Sequence, residues 1–317
     1  MFCFLCVALA IVPLGFRAEV VENFKDCNEF FYKKKEPKGI YKVAQNSYKI
    51  CQTYNDSKCY FSLYFHSKKM TLYSAYTFQR HFEKKLKEKQ AINSGYDYTG
   101  FDRGHLNPNS FQLGKGRSAT YTLTNAVPMD PCFNRIHWKD YEEYTRLILS
   151  DCHKADKNKG TAYIVTGAVP GNKNMIKIES NTYMGEGDIN IPSYICTAVC
   201  YESNDAQNTK SFSFAFIGEN KEGGKIEALN ILQLNEKLKS YYNINENVKV
   251  FDGDCHSSNN GSKELLARLK LLEGNTRKLE IHKMCEERNR DCSNMKRTSD
   301  CSDDGSDVLP RKKRKIT

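Results

Sequence analysis

The order of the β-forming runs constrains this chain more than any other feature. Residues 60–64, 70–77, 161–167, 191–201 and 211–217 are rich in aromatic and β-branched residues, the composition of strands. The last two follow one another closely enough to be neighbours in an antiparallel sheet, and residues 248–251 read as a final strand. Helical patterns do not alternate with these runs. Residues 78–90 form a charged helix candidate, and residues 228–241 bring Leu229, Leu232 and Leu238 near one helical face. Irregular alternation points to α+β rather than α/β: a central antiparallel sheet flanked by helices.

The two ends stand apart from this body, which reads as one domain over residues 19–255. Residues 1–15 are almost wholly apolar. The run is too short for a bilayer-spanning helix, which needs about 20 residues, and suits the apolar core of a secretory signal peptide. Cleavage after Ala18 is the expected processing step, leaving a secreted chain with no membrane span. Beyond residue 255, Ser262 is placed to cap a helix running through Leu265, Leu266, Leu269 and Leu272. Gly274 and Asn275 end it. After Cys285 the composition is that of a disordered tail, closing on Arg311, Lys312, Lys313, Arg314 and Lys315. That run resembles a nuclear import signal and equally suits electrostatic binding to acidic partners.

Of the 13 cysteines, two leave with the signal and eight lie from Cys27 to Cys255. An exported chain of this kind is expected to carry disulfides, with connectivity open and an odd thiol left over. Zinc is disfavoured, because Cys196 and Cys200 have no histidine near them in sequence. Asn55 and Asn260 head glycosylation sequons. The net charge of +10 favours encounter with polyanions.

The residues that carry chemistry lie between Asp102 and Glu142. Asp102-Arg103-Gly104-His105 opens the stretch, Asn125 follows, and Asn134 precedes Trp138 and Glu142 at intervals of four. Hydrolysis of a phosphodiester needs a base for the attacking water, charge stabilisation at the phosphate, and help for the leaving oxygen. A histidine near its ordinary pKa supplies the first, and a divalent cation the other two. His105 is the candidate base and Arg103 a candidate phosphate ligand. Gly104 lets the backbone approach other groups closely or take a positive φ. Alone, this tripeptide would be a surface turn. If Asn134 opens a helix, Asn134, Trp138 and Glu142 share one side of it. An amide oxygen suits Mg²⁺, which keeps most of its waters, and Glu142 can hold one of those waters. Helix capping is the simpler role for Asn134, and helical geometry does not separate Glu142 from Glu143. Asn125 is a candidate to orient His105 or a metal-bound water, or else a turn-former before Pro128. His137 is a weaker candidate. Gly114-Lys115-Gly116-Arg117 reads as a basic loop able to grip a phosphate.

At these residues the sequence resembles the non-specific DNA/RNA endonuclease family, the ββα-metal nucleases. Asp102 to His105 match the family's DRGH signature. Asn125 matches its supporting asparagine, Asn134 its Mg²⁺ ligand, and Trp138 and Glu142 fall at the family's spacing, which selects Glu142 over Glu143. The wider stretch over residues 105–138 is similar to a vertebrate subgroup, the endonuclease domain-containing 1 proteins. The resemblance covers roughly residues 20–255. It implies the ββα-metal nuclease fold, His105 as general base, Mg²⁺ (or Mn²⁺) held by Asn134 with water-mediated support from Glu142, DNA and RNA as partners, and products with 5′ phosphates. Members also place an arginine upstream of the signature near the scissile phosphate, and Arg80 is the candidate by position. Many carry glycine two residues after the metal asparagine, where this chain has Ile136. That departure, with the basic tail, motivates the alternative of a nucleic-acid-binding or adaptor protein that keeps the fold without turnover. A phosphodiesterase or phosphatase for small substrates is a third reading.

Overall fold

The computed structural model describes residues 16–43, 45–79, 96, 99–172, 175–176, 189–204 and 210–274. The apolar run at the start, Arg80 with the rest of the charged helix candidate, and the tail beyond 274 lie outside these residues. Eight strands form one sheet: β1 (Phe16–Val21), β2 (Ser47–Tyr54), β3 (Ser57–Phe65), β4 (Met70–Thr77), β7 (Thr161–Val169), β10 (Tyr194–Glu202), β11 (Phe212–Glu219) and β12 (Ile226–Leu229), in that spatial order. Every neighbouring pair is antiparallel. Two short ribbons stand outside it: β5 (Asp102–His105) with β6 (Ala126–Met129), and β8 (Met175–Ile176) with β9 (Ile189–Asn190).

The central strands are buried on both faces, and side-chain alternation along them sorts residues between two cores. In β10, Cys196, Ala198 and Cys200 face one core, while Ile195, Val199 and Tyr201 face the other. The first core is closed by the 3₁₀ turn Phe24–Phe30, by helix α3 (Ile231–Tyr242) and by Val248, Val250 and Phe251. The second lies under the β5–β6 ribbon and helices α1 (Gly114–Ala119), α2 (Lys139–Ala155) and α4 (Asn260–Gly274). Among the described residues, no helix is long and apolar enough to cross a membrane.

Several local expectations change. Residues 248–251 form no strand: a single bridge joins Lys38 to Lys249. Asn235 Oδ1 instead accepts the Val250 N–H at 3.0 Å, so the run is spent on packing. Helix α3 starts at Ile231, because Asn230 and Gln233 form a reciprocal cap. Leu229 belongs to β12, Leu232 is 53% exposed, and the buried stripe is Ile231, Leu234 and Leu238. The glycine-flanked basic segment is helix α1 rather than a loop, and Lys115 Nζ donates to Ser57 Oγ at 3.1 Å. The C-terminal helix forms with Asn259, not Ser262, as its capping side chain. Ser262 Oγ accepts the Ser213 N–H at 2.8 Å instead. With Leu269 in the second core, this helix is joined to the sheet. Strand β1 straddles Ala18, so cleavage there would divide the edge strand.

Disulfides join Cys27 to Cys51 and Cys200 to Cys255. The second removes Cys200 from any zinc site and staples central β10 to the segment leaving the first core. Cys59, Cys132, Cys152 and Cys196 remain thiols. Closing the 55-residue separation between Cys200 and Cys255 should stabilise the fold by about 4 kcal/mol on the chain-entropy relation. The double variant Cys200→Ser/Cys255→Ser should therefore melt well below the wild type in thermal denaturation, and reduction should no longer lower its Tm by this amount.

Candidate active site

The candidate site is built on the β5–β6 ribbon and the helix that follows it. Register pairs Asp102 with Met129 and His105 with Ala126, so the whole DRGH run is strand. Gly104 is needed for close approach rather than for a positive φ: a Cβ there would meet Met129 Sδ at 2.2 Å. The ribbon therefore lies flat on the apolar layer containing Leu106, Val127 and Met129.

Asn125 anchors the ribbon. Its side chain is fully buried, and its hydrogen-bonding capacity is filled. Oδ1 accepts from Asn107 N at 2.8 Å and Ser74 Oγ at 3.0 Å. Nδ2 donates to Asn107 O at 2.9 Å and Thr120 O at 3.0 Å. Its backbone carbonyl takes the Leu106 N–H at 2.9 Å. These contacts clamp the chain as it leaves His105 and tie it to β4 through Ser74, so Asn125 acts on the histidine's backbone. Tyr76, also on β4, donates to Leu106 O at 3.2 Å. The His105 ring meets Tyr121 edge-on, with centroids 5.7 Å apart, and Asn109 Nδ2 donates to that tyrosine's hydroxyl at 2.5 Å. Arg103 stacks its guanidinium over Tyr96 at 5.5 Å.

After β6 the chain turns into a helix whose start lies earlier than Asn134. Asp130 Oδ1 accepts the N–H groups of Cys132 and Phe133, each at 3.0 Å, and so supplies the cap. Asn220 holds that corner by accepting Asp130 N–H and donating to Pro128 O, both at 2.9 Å. Asn134 then lies inside a π-helical turn, Phe133–Trp138, that leads into α2. Such one-turn π bulges are rare and are frequently found at functional sites. Phe133 and Trp138 stack across this one, with centroids 5.6 Å apart. Gly218 of β11 leaves room for the Phe133 ring, since a Cβ there would come within 2.8 Å of it. Ile136, the departure from the family pattern, is buried within the same turn. His137 is half-buried in it.

The turn reaches back to the DRGH strand. Asn134 Nδ2 donates to Asp102 Oδ2 at 2.9 Å, and Arg135 grips the same carboxylate through Nε at 2.8 Å and Nη2 at 2.6 Å. With its nitrogen so engaged, Asn134 keeps its oxygen for another partner, a hard neutral donor suited to a hydrated Mg²⁺. Glu142 and Glu143 are now separated. Glu143 is exposed and paired with Arg146 at 2.8 Å. Glu142 turns inward, within electrostatic reach of Tyr76. Burial pushes its carboxyl up to about 8, against the opposing pull of the Lys139 charge. Among the described residues no three His, Cys, Asp or Glu side chains gather as a ligand set. The sequence reading did not single out Tyr121, Asn107, Ser74, Arg135 or Asn220. None of these types is rare, and only their meeting in space marks them.

The profile of the DNA/RNA non-specific endonuclease family matches residues 59–253. The human (Homo sapiens) endonuclease domain-containing 1 protein is 22% identical over 285 residues, covering 79% of this chain and 51% of that protein. Its mouse (Mus musculus) counterpart is 25% identical over 213 residues, covering 56% and 39%. Human mitochondrial endonuclease G is 25% identical over 120 residues, 37% of this chain and 39% of that protein. The chain thus spans about half or less of the relatives it matches.

Two outcomes are expected from this geometry. Asn125→Ala strands buried groups of Asn107, Thr120 and Ser74, and should cost roughly 3–5 kcal/mol in urea unfolding. A loss below about 1 kcal/mol would mean that the clamp is dispensable. Burial raises the Glu142 carboxyl from the ordinary 4.5 to about 8 in the folded protein. Across that window the unfolded chain binds fewer protons, so stability without metal should fall as pH rises. Denaturant melts across that range should show the decline, and Glu142→Gln should flatten it.

Proposed function

The chain belongs to the DNA/RNA non-specific endonuclease family, and from that premise we propose that it is an exported, Mg²⁺-dependent endonuclease cleaving DNA and RNA with little sequence preference. The observation that carries the reading is the hydrogen bond from Asn134 to Asp102. It joins the strand that carries His105 to the turn that carries the Asn134 amide, which supports reading base and cation ligand as parts of one site.

His105 takes the proton of the attacking water, and its backbone is kept in place by the Asn125 clamp. Arg103 offers its guanidinium to phosphate oxygens. Asn134 Oδ1 would hold the cation directly, with Mn²⁺ as a substitute for Mg²⁺, and Glu142 would hold one of its waters. When bound, the cation stabilises charge on the phosphate and the leaving oxygen. Arg80 is proposed as a further phosphate contact from its sequence position alone. The net charge of +10 draws in polyanions without regard to base order. The two disulfides and the apolar start support export, since such bonds persist in oxidising compartments.

Plasmid DNA and RNA digestion by the purified protein, with Mg²⁺ and with EDTA, tests the proposal. Wild-type cleavage should disappear in EDTA. His105→Ala and Asn134→Ala should each lower kcat by about 10²-fold or more while the proteins stay folded. Folded wild-type protein that shifts DNA in a gel but does not cut it would instead support binding without turnover.

A further inference from the structure

We propose that Arg135 is a positioning residue, acting through Asp102 to hold the Asn134 amide oxygen toward the catalytic centre. The inference rests on the nuclease reading above and deepens it. Three donors converge on the Asp102 carboxylate: Asn134 Nδ2 and Arg135 Nε on Oδ2, and Arg135 Nη2 on Oδ1. The donors come from consecutive residues of the π turn, and the acceptor lies on the His105 strand. Consecutive helical side chains diverge by about 100°. One carboxylate can serve both only because the long arginine side chain doubles back. The carboxylate side chain is 14% exposed and the guanidinium side chain 37%.

Each part of this arrangement has a consequence at Asn134. Arg135 neutralises Asp102, so the carboxylate can stay beside the amide without competing for an incoming cation. The charge-assisted bond from Nδ2 then selects one of the two amide orientations and leaves Oδ1 outward. The strap also ties β5 to the π turn. An ion pair serving stability alone would not need the candidate ligand's own amide as its third donor. A guanidinium serving only as a phosphate contact would not have Nε and Nη2 both committed to Asp102.

The test compares Arg135→Lys, Arg135→Gln, Asp102→Asn and the Asp102→Asn/Arg135→Gln double variant, each checked for folding by urea melts. Cleavage is measured at saturating Mg²⁺. In parallel, fluorescence of Trp138 is recorded without metal. Trp138 is the only tryptophan in the chain, is 2% exposed and closes the π turn. A displaced ligand should lower kcat about tenfold to a hundredfold in both Arg135 variants, leaving KM for DNA within about twofold. Lysine should not rescue, because it lacks the two-pronged grip. The double variant should be no worse than Asp102→Asn, and Trp138 emission should shift to the red in the Arg135 variants.

Full activity in Arg135→Lys and Arg135→Gln would overturn the inference. So would a rise in KM with kcat unchanged and rescue by lysine, the signature of a phosphate contact. Multiplying effects in the double variant would break the proposed link through Asp102. If the wild type does not cleave, the function reading fails first. Unchanged Trp138 emission in Arg135→Gln would then overturn the positioning inference separately.

Discussion

The site depends on one buried amide. Asn125 lies between the central sheet and the ribbon that carries His105, and each of its polar atoms is taken by a group of Ser74, Asn107 or Thr120. A buried amide in a low-dielectric layer is stabilising only when fully satisfied, because each unmet group costs more than a made bond contributes. Full satisfaction also admits few geometries. The ribbon can therefore sit on the sheet in essentially one position, and His105 is presented from a fixed backbone.

The sheet beneath makes that anchor rigid. Antiparallel strands buried on both sides sort alternate residues into two cores, and a slip of one residue would exchange them. Strand β4 sends Ser74 and Tyr76 to the ribbon and Tyr73 and Ala75 to the opposite core. Strand β11 makes room at Gly218 for Phe133, which seats the π turn. The two halves of the site thus rest on different strands of one sheet, and the Asp102 contacts with Asn134 and Arg135 close the gap between them.

Much of this was legible in the chain. The strand runs at 60–64, 70–77 and 161–167 lie within observed strands, and those at 191–201 and 211–217 overlap β10 and β11, which start at Tyr194 and Phe212. Their aromatic and β-branched content reports burial on a pleated surface directly. The edge strands β1 and β12, and β2 beside β1, were missed, being short or mixed in composition. Residues 248–251 have strand-like composition but pack without a ladder, since composition records burial and not the partner. Leu232 lies within the helical run yet faces solvent, because the helix starts at Ile231 and its buried stripe is set by that start. At the site, residue types and spacing pointed to His105 and Asn134, and the family resemblance to Glu142 over Glu143. An ideal helix opening at Asn134 does not describe what forms there, because the helix begins at the Asp130 cap and passes through a π turn.

The sequence by itself determined the residue chemistry: a histidine, an amide and a carboxylate at set intervals, in a chain whose runs favour an antiparallel sheet. These follow from covalent order and local preference. Only the tertiary structure decided that Glu142 turns inward and Glu143 outward, that Asn125 clamps the backbone beside His105, and that Arg135 meets Asp102. Each of these depends on groups distant in sequence, and their energies exist only once the sheet excludes water and brings the partners within bonding distance.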